Sequence, residues 1–123
     1  MLLQSNFVKE GERIDDLQYD GLKIIQNPSL YCFTSDAVLL ANMVKANHKD
    51  VVCDLGTGSG IIATIVATKT NCKKVYGVEL QAYMSDMASR SVKMNGLEDR
   101  IEIINSPMQN ATEILGKESC SVV

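Results

Sequence analysis

The sequence predicts an α/β fold built on a parallel sheet with helices on both faces, preceded by a small β-hairpin and a helix. Three observations predict it. Strands and helices alternate from Val51 onward, a glycine-rich turn joins the first of those strands to its helix, and an Asp-Gly pair separates two short apolar-bearing runs near the start. Such alternation implies right-handed crossovers, each helix covering one face of the sheet. We expect one partial domain, with residues 1–34 as a hairpin extension and 35–123 as the core.

The hairpin rests on Leu17-Gln18-Tyr19, Asp20-Gly21 and Leu22-Lys23-Ile24-Ile25, because Asp-Gly supplies the positive φ angles of a tight type I′ turn. Ser35 or Asp36 can cap a helix over 37–44, their side-chain oxygens accepting unpaired first-turn amides. Val51-Val52-Cys53-Asp54-Leu55 is apolar without alternation, as a strand covered on both faces should be. A helix follows over 61–70, with Ile61, Ile62, Ile65 and Val66 on one side. Val75–Glu79 is the second strand and 82–95 the second core helix, whose Met84, Met87, Ala88 and Val92 share a face. Asn95-Gly96 ends it, since glycine adopts the left-handed cap conformation. Ile101–Ile104 is the third strand, and Met108–Leu115 a helix ending at Gly116. Cys120-Ser121-Val122-Val123 reads as the first half of a fourth strand, so the fold is expected to be truncated there.

Composition bounds the function. With 123 residues, 46% hydrophobic and 22% charged, the chain is in the range of ordinary globular proteins but short for a complete nucleotide-dependent α/β enzyme. No stretch approaches the roughly 18 apolar residues of a spanning helix, and Met1–Phe7 lacks a signal-peptide pattern. A cytoplasmic protein is the expectation. Cys32, Cys53, Cys72 and Cys120 form no C-x-x-C pair and are read as reduced thiols. His48, the only histidine, lies in a polar loop and is read as solvated, which excludes His-based triads and His-rich metal sites. A net charge of −3 gives no global attraction to nucleic acid, and Lys9, Arg13 and Lys23 read as ordinary solvated charge.

Chemistry concentrates in Asp54-Leu55-Gly56-Thr57-Gly58-Ser59-Gly60. Between a buried strand and a helix start, glycines let the backbone approach a ligand while helix amides point outward. A phosphate-cradling Walker loop would need Gly-Lys-Ser/Thr, and no lysine occurs before Lys69. A dinucleotide fingerprint would need a small residue at Ile61 for close helix-strand packing. What remains is an acid, a spacer, Gly-x-Gly-x-Gly, and a second acid ending the next strand. That pattern suits S-adenosylmethionine, which has no phosphate but carries an ammonium, a sulfonium and a ribose diol. Glu79 can accept both ribose hydroxyls, and Asp54 lies within reach of the ammonium. Thr57 and Leu80 adjoin these acids and are expected to contact the cofactor.

The sequence resembles the bacterial tRNA adenine-N6 methyltransferases that modify valine tRNA, within the class I, Rossmann-like methyltransferases. The general resemblance rests on Asp54 through Gly60 and on Glu79. The narrower one rests on Glu12–Leu17, Gly21–Pro28 and Phe33–Ala41. It implies that Phe33, Thr34 and Asp36 lie against the cofactor site, that Asp54, Gly56, Gly58 and Glu79 bind S-adenosylmethionine, and that tRNA is the partner. Read without it, Phe33 is a core aromatic and Asp36 a helix cap.

Two departures stand out. Where such proteins place a Gly-Asp pair, whose acid holds the adenine amine, this chain has Ser106-Pro107, with Met108 able to pack on the adenine face. The family's Asn-Pro-Pro-aromatic signature, which accepts hydrogen bonds from the target amine and stacks the extruded base, occurs nowhere in the sequence. An amino-terminal portion, without catalytic residues of its own, is therefore expected. An exposed sheet edge is expected to promote self-association. Alternatives from other classes are a non-catalytic cofactor-binding or assembly module, and methylation of protein glutamine or another amine.

Overall fold

The computed structural model describes residues 4–17, 20–30, 35–110 and 120. A 3-10 turn, Gln4–Phe7, leads into a hairpin of β1 (Arg13–Asp16) and β2 (Lys23–Gln26). The turn between them carries positive φ at both Asp20 (50°) and Gly21 (70°), as a type I′ geometry demands. The strands pair antiparallel with Ile14 opposite Ile25. The first strand thus lies upstream of the Leu17–Tyr19 run expected to form it; Leu17 instead joins the turn, its N–H donating to Leu22 O at 3.0 Å. Gln18 and Tyr19 lie outside the described residues.

Three parallel strands form the core sheet in the order β3 (Val51–Leu55), β4 (Lys74–Glu79), β5 (Ile101–Asn105). In register, Val52 faces Val75, which faces Ile101, and this buried apolar row is the floor on which the helices rest. They are α1 (Ser35–Met43), α2 (Ile61–Lys69) and α3 (Ala82–Met94). Ala41 of α1, five α2 residues, Val92 of α3 and Ile24 of β2 join that row in one core cluster. Helix α1 begins at Ser35, so Ser35 and Asp36 occupy its first turn and do not precede it as caps. Nor is α2 one-sided. Ile61, Ala63, Thr64, Ile65, Val66 and Ala67 are buried and Ile62 only partly, because α1 packs on one flank and the sheet on another. Met84, Met87, Ala88 and Val92 are all buried, as their spacing predicts.

Strand β2 meets α3 through an unusual seam. Ser91 Oγ accepts from Ile25 N–H at 2.9 Å, Asn95 Oδ1 accepts from Lys23 N–H at 3.0 Å, and Asn95 Nδ2 donates to Lys23 O at 2.7 Å. A second tie lies at the far end of the hairpin. Arg90 of α3 forks onto Glu12, Nη2 to Oε2 at 2.7 Å and Nη1 to Oε1 at 2.5 Å, while its Nε donates to Asp86 and Nη1 to Phe7 O. Tyr83 Oη also donates to Glu12, at 2.6 Å. The Glu12 side chain is wholly shielded from solvent.

Cys53 and Cys72 are buried free thiols. Burial, and then the neighbouring Cys120, push the Cys53 thiol up to about 12, so it stays protonated. His48 is exposed. Among the described residues no helix is long and apolar enough to cross a membrane, and no cluster of metal-ligating side chains occurs. The expected helix at Met108–Leu115 begins as a 3-10 turn, Met108–Asn110. Its remainder, with Cys32 and Ser121–Val123, lies outside the described residues.

Candidate functional site

Parallel pairing brings the carboxyl ends of β3 and β4 side by side, and both acids sit there. Asp54 is the penultimate residue of β3, opposite Gly77, and Glu79 closes β4 two residues after Gly77. Between them the chain turns back at Gly56 (φ 74°), Gly58 (φ 57°) and Gly60 (φ 88°), a left-handed run that residues with β-carbons would adopt only under strain. The turn is sewn to β4: Gly56 N–H and Thr57 N–H both donate to Val78 O, at 2.8 and 3.0 Å. Gly58 N–H donates to Glu79 Oε1 at 2.9 Å, and Gln81 N–H to Oε2 at 3.0 Å. Each carboxylate oxygen keeps a further lone pair, so the group is fixed in direction without being saturated.

Asp54 lies behind the turn, where its Oδ2 accepts from Thr57 Oγ1 at 2.7 Å. Burial raises its pKa above the ordinary carboxylate value and the Glu79 charge adds to the rise, against the opposing Thr57 bond. Thr57 is itself buried, and its placement depends on a residue sequence reasoning overlooked. A β-carbon on Gly77 would come within 2.8 Å of Thr57 Oγ1 and 2.9 Å of Ile103 Cδ1. Gly77→Ala should therefore displace Thr57 and lower stability by about 1–3 kcal/mol. An unchanged denaturation midpoint would show that this contact is not tight.

An open cavity of about 490 Å³ lies at this end of the sheet, lined by Gly56, Val78, Glu79, Leu80, Ser106, Pro107, Met108 and Gln109. Leu80 and Met108 present apolar surface there and are 65% and 53% exposed, as side chains awaiting a flat apolar partner would be. Asn105 Nδ2 braces the wall by donating to Glu79 O and Leu80 O at 2.9 and 3.0 Å.

Of the sequence-predicted site residues, Gly56, Glu79, Leu80 and Met108 line the cavity, Gly58 holds Glu79, and Asp54 with Thr57 backs the turn. Gly60 is buried against α3, where an added β-carbon would meet Ala88 Cβ at 3.3 Å, so its smallness serves a close helix crossing. Asp36 is exposed in the first turn of α1 and does not line the cavity. Phe33 and Thr34 lie outside the described residues. Gln109 belongs to the lining, yet nothing in its local sequence signals it.

The residues present fit S-adenosylmethionine: a glycine-rich backbone turn, a fixed acceptor for a ribose diol, a half-buried carboxylate for an ammonium, and apolar walls for a base. A carboxylate at Asp54 facing the ammonium would set a pH dependence. Protonating it removes the anion that would face the ammonium, and its pKa is raised. Affinity for S-adenosylhomocysteine should therefore fall with acidification at a higher pH than an ordinary aspartate would give. Calorimetric titration across a pH series checks this, and Asp54→Asn should abolish the dependence on the Asp54 proton.

Comparison with known proteins agrees with this geometry. Residues 34–123 match the family described as ribosomal protein L11 methyltransferase (PrmA). The chain is 32% identical, over 66% of its length, to a Methanocaldococcus jannaschii protein provisionally named a protein N5-glutamine methyltransferase, and spans 41% of that protein. It is 27% identical, over 71% of its length, to the tRNA1(Val) adenine-N6 methyltransferase of Haemophilus influenzae, spanning 38% of it. The fold is shared with Methanocaldococcus jannaschii Trm5 in complex with adenosine, at a TM-score of 0.65 and 20% identity over 83% of this chain and 32% of that one.

Proposed function

This chain belongs to the ribosomal protein L11 methyltransferase (PrmA) family, and from that premise we propose that it forms the donor-binding half of a methyltransferase acting on the exocyclic amine of adenine in tRNA. S-adenosylmethionine is the cofactor. The observation that carries the reading is the Glu79 carboxylate, held by two backbone amides at the rim of a glycine-floored cavity. The donor supplies a methyl group on a sulfonium, transferred by in-line displacement. The chain's own residues bind and orient: Glu79 accepts the ribose hydroxyls, Asp54 holds the ammonium, and Leu80 with Met108 shields the base from water. Orientation of this kind is a large part of catalysis for a two-substrate transfer. The acceptor assignment is supported by the resemblance over Glu12–Leu17, Gly21–Pro28 and Phe33–Ala41, and by similarity to the Haemophilus tRNA enzyme.

A second reading, methylation of a protein amide or amine, is favoured by the family description and by the N5-glutamine relative. Radiolabelled S-adenosylmethionine distinguishes the two when offered, with unmodified tRNA or with ribosomal protein, to a full-length methyltransferase that contains this donor-binding half. We expect label in tRNA that is recovered as N6-methyladenosine. Label confined to protein would replace the first reading with the second.

A further inference from the structure

At the position where the family resemblance implies a carboxylate for the adenine amine, the cavity is lined by Pro107, which has neither an acid nor an N–H. Other polar groups nearby are engaged. Ser106 is buried, its N–H donating to Glu79 O and its hydroxyl to Pro107 O. Pro107 O also accepts from Asn110 N–H. Asn105 spends its amide hydrogens on Glu79 O and Leu80 O, and Glu79 is directed towards the glycine turn. Among the described residues one polar side chain remains. Gln109 lines the cavity beside Met108, is exposed, and makes no side-chain hydrogen bond to a described residue. Its amide offers one acceptor and one donor side by side, the complement of adenine's amine and adjacent ring nitrogen.

We propose that Gln109 determines specificity for the cofactor's base, its side-chain carbonyl accepting from the adenine amine and its NH2 donating to the adjacent ring nitrogen. The inference rests on the S-adenosylmethionine reading. In place of an anionic acceptor, the protein uses a neutral group with both a donor and an acceptor, carried on the short turn after β5 beside the apolar plate of Met108. Because the amide is neutral, this recognition adds no negative charge to a cavity that already holds Glu79.

The test compares S-adenosylhomocysteine with its purine analogue, in which hydrogen replaces the amine, on wild-type protein and on Gln109→Leu. The wild type should prefer the adenine ligand by about tenfold, and the variant should bind both alike, since leucine keeps the bulk but removes the acceptor. A preference unchanged in Gln109→Leu, or a wild type that binds both ligands equally, overturns the role of Gln109. An equal loss for both ligands in the variant, with the preference kept, shows a merely structural role and also overturns it. If the wild type binds neither ligand while folded, the cofactor reading itself fails, an outcome distinct from the others.

Discussion

Glu79→Ala is expected to weaken binding of S-adenosylhomocysteine by about 100-fold, close to 2.7 kcal/mol. Hydrogen bonds to an ionised group contribute roughly 1.5–3 kcal/mol each, and two ribose hydroxyls converge on this carboxylate in the proposed complex. The half-buried setting of Glu79 keeps the effect near the lower end of their sum. The substitution also releases Gly58 N–H and Gln81 N–H, which Glu79 holds at 2.9 and 3.0 Å, so the turn loses its anchor together with the ligand contact. Glu79→Gln separates the two contributions. It keeps an acceptor but loses the charge, and a loss of about tenfold is expected. Calorimetry on the folded variants decides the matter, and an Ala variant within threefold of wild type would remove the central element of the site.

Arg90→Ala should cost the fold about 3–5 kcal/mol, the usual result of removing one partner from a shielded ion pair. In the intact protein the Glu12 side chain has no solvent contact, and once the guanidinium is gone Tyr83 and Lys9 N–H would be its remaining protein donors. Denaturant titration measures the loss, and a shift below about 1 kcal/mol would mean that the hairpin readily admits water. The acid side carries a matching signature. The Arg90 hydrogen bonds hold the Glu12 carboxyl down at about 2 against an ordinary 4.5. A depressed acid contributes stability that is fully present above its unfolded pKa and disappears as pH falls through the folded one. Wild type should therefore lose this contribution between about pH 4.5 and 2, and Arg90→Ala should show a smaller step, set by the Tyr83 and Lys9 bonds that remain. Asp54 works in the opposite sense. Its raised pKa means that the ionised form costs stability, a cost relieved on acidification.

Local chemistry was legible in the sequence, and distant pairing was not. The Asp20-Gly21 turn, the strand Val51–Leu55 and the glycine trio depend on neighbours a few residues away, and the two acids follow from the strand-helix-strand alternation, which the structure bears out. Arg90 and Glu12 are separated by 78 positions, and neither residue alone signals its partner. Gly77 reads as an ordinary strand residue until Thr57 and Ile103 are seen crowding it. The face of α2 was misjudged because a run of isoleucines shows how apolar a helix is, but not how many sides are covered. Gln109 carries no local signal, since an exposed glutamine after a strand is ordinary until the cavity is seen beside it.

The seam between β2 and α3 has a consequence for solution behaviour. A short strand at the rim of a two-stranded ribbon would ordinarily offer a row of amides and carbonyls on which a foreign chain could zip. Here Ser91 and Asn95 occupy that row with side-chain atoms, so the β2 margin of the ribbon is closed without a third strand. Ser91→Ala combined with Asn95→Ala would strand the Ile25 N–H and the Lys23 N–H and carbonyl between β2 and α3, loosening the hairpin from the helix.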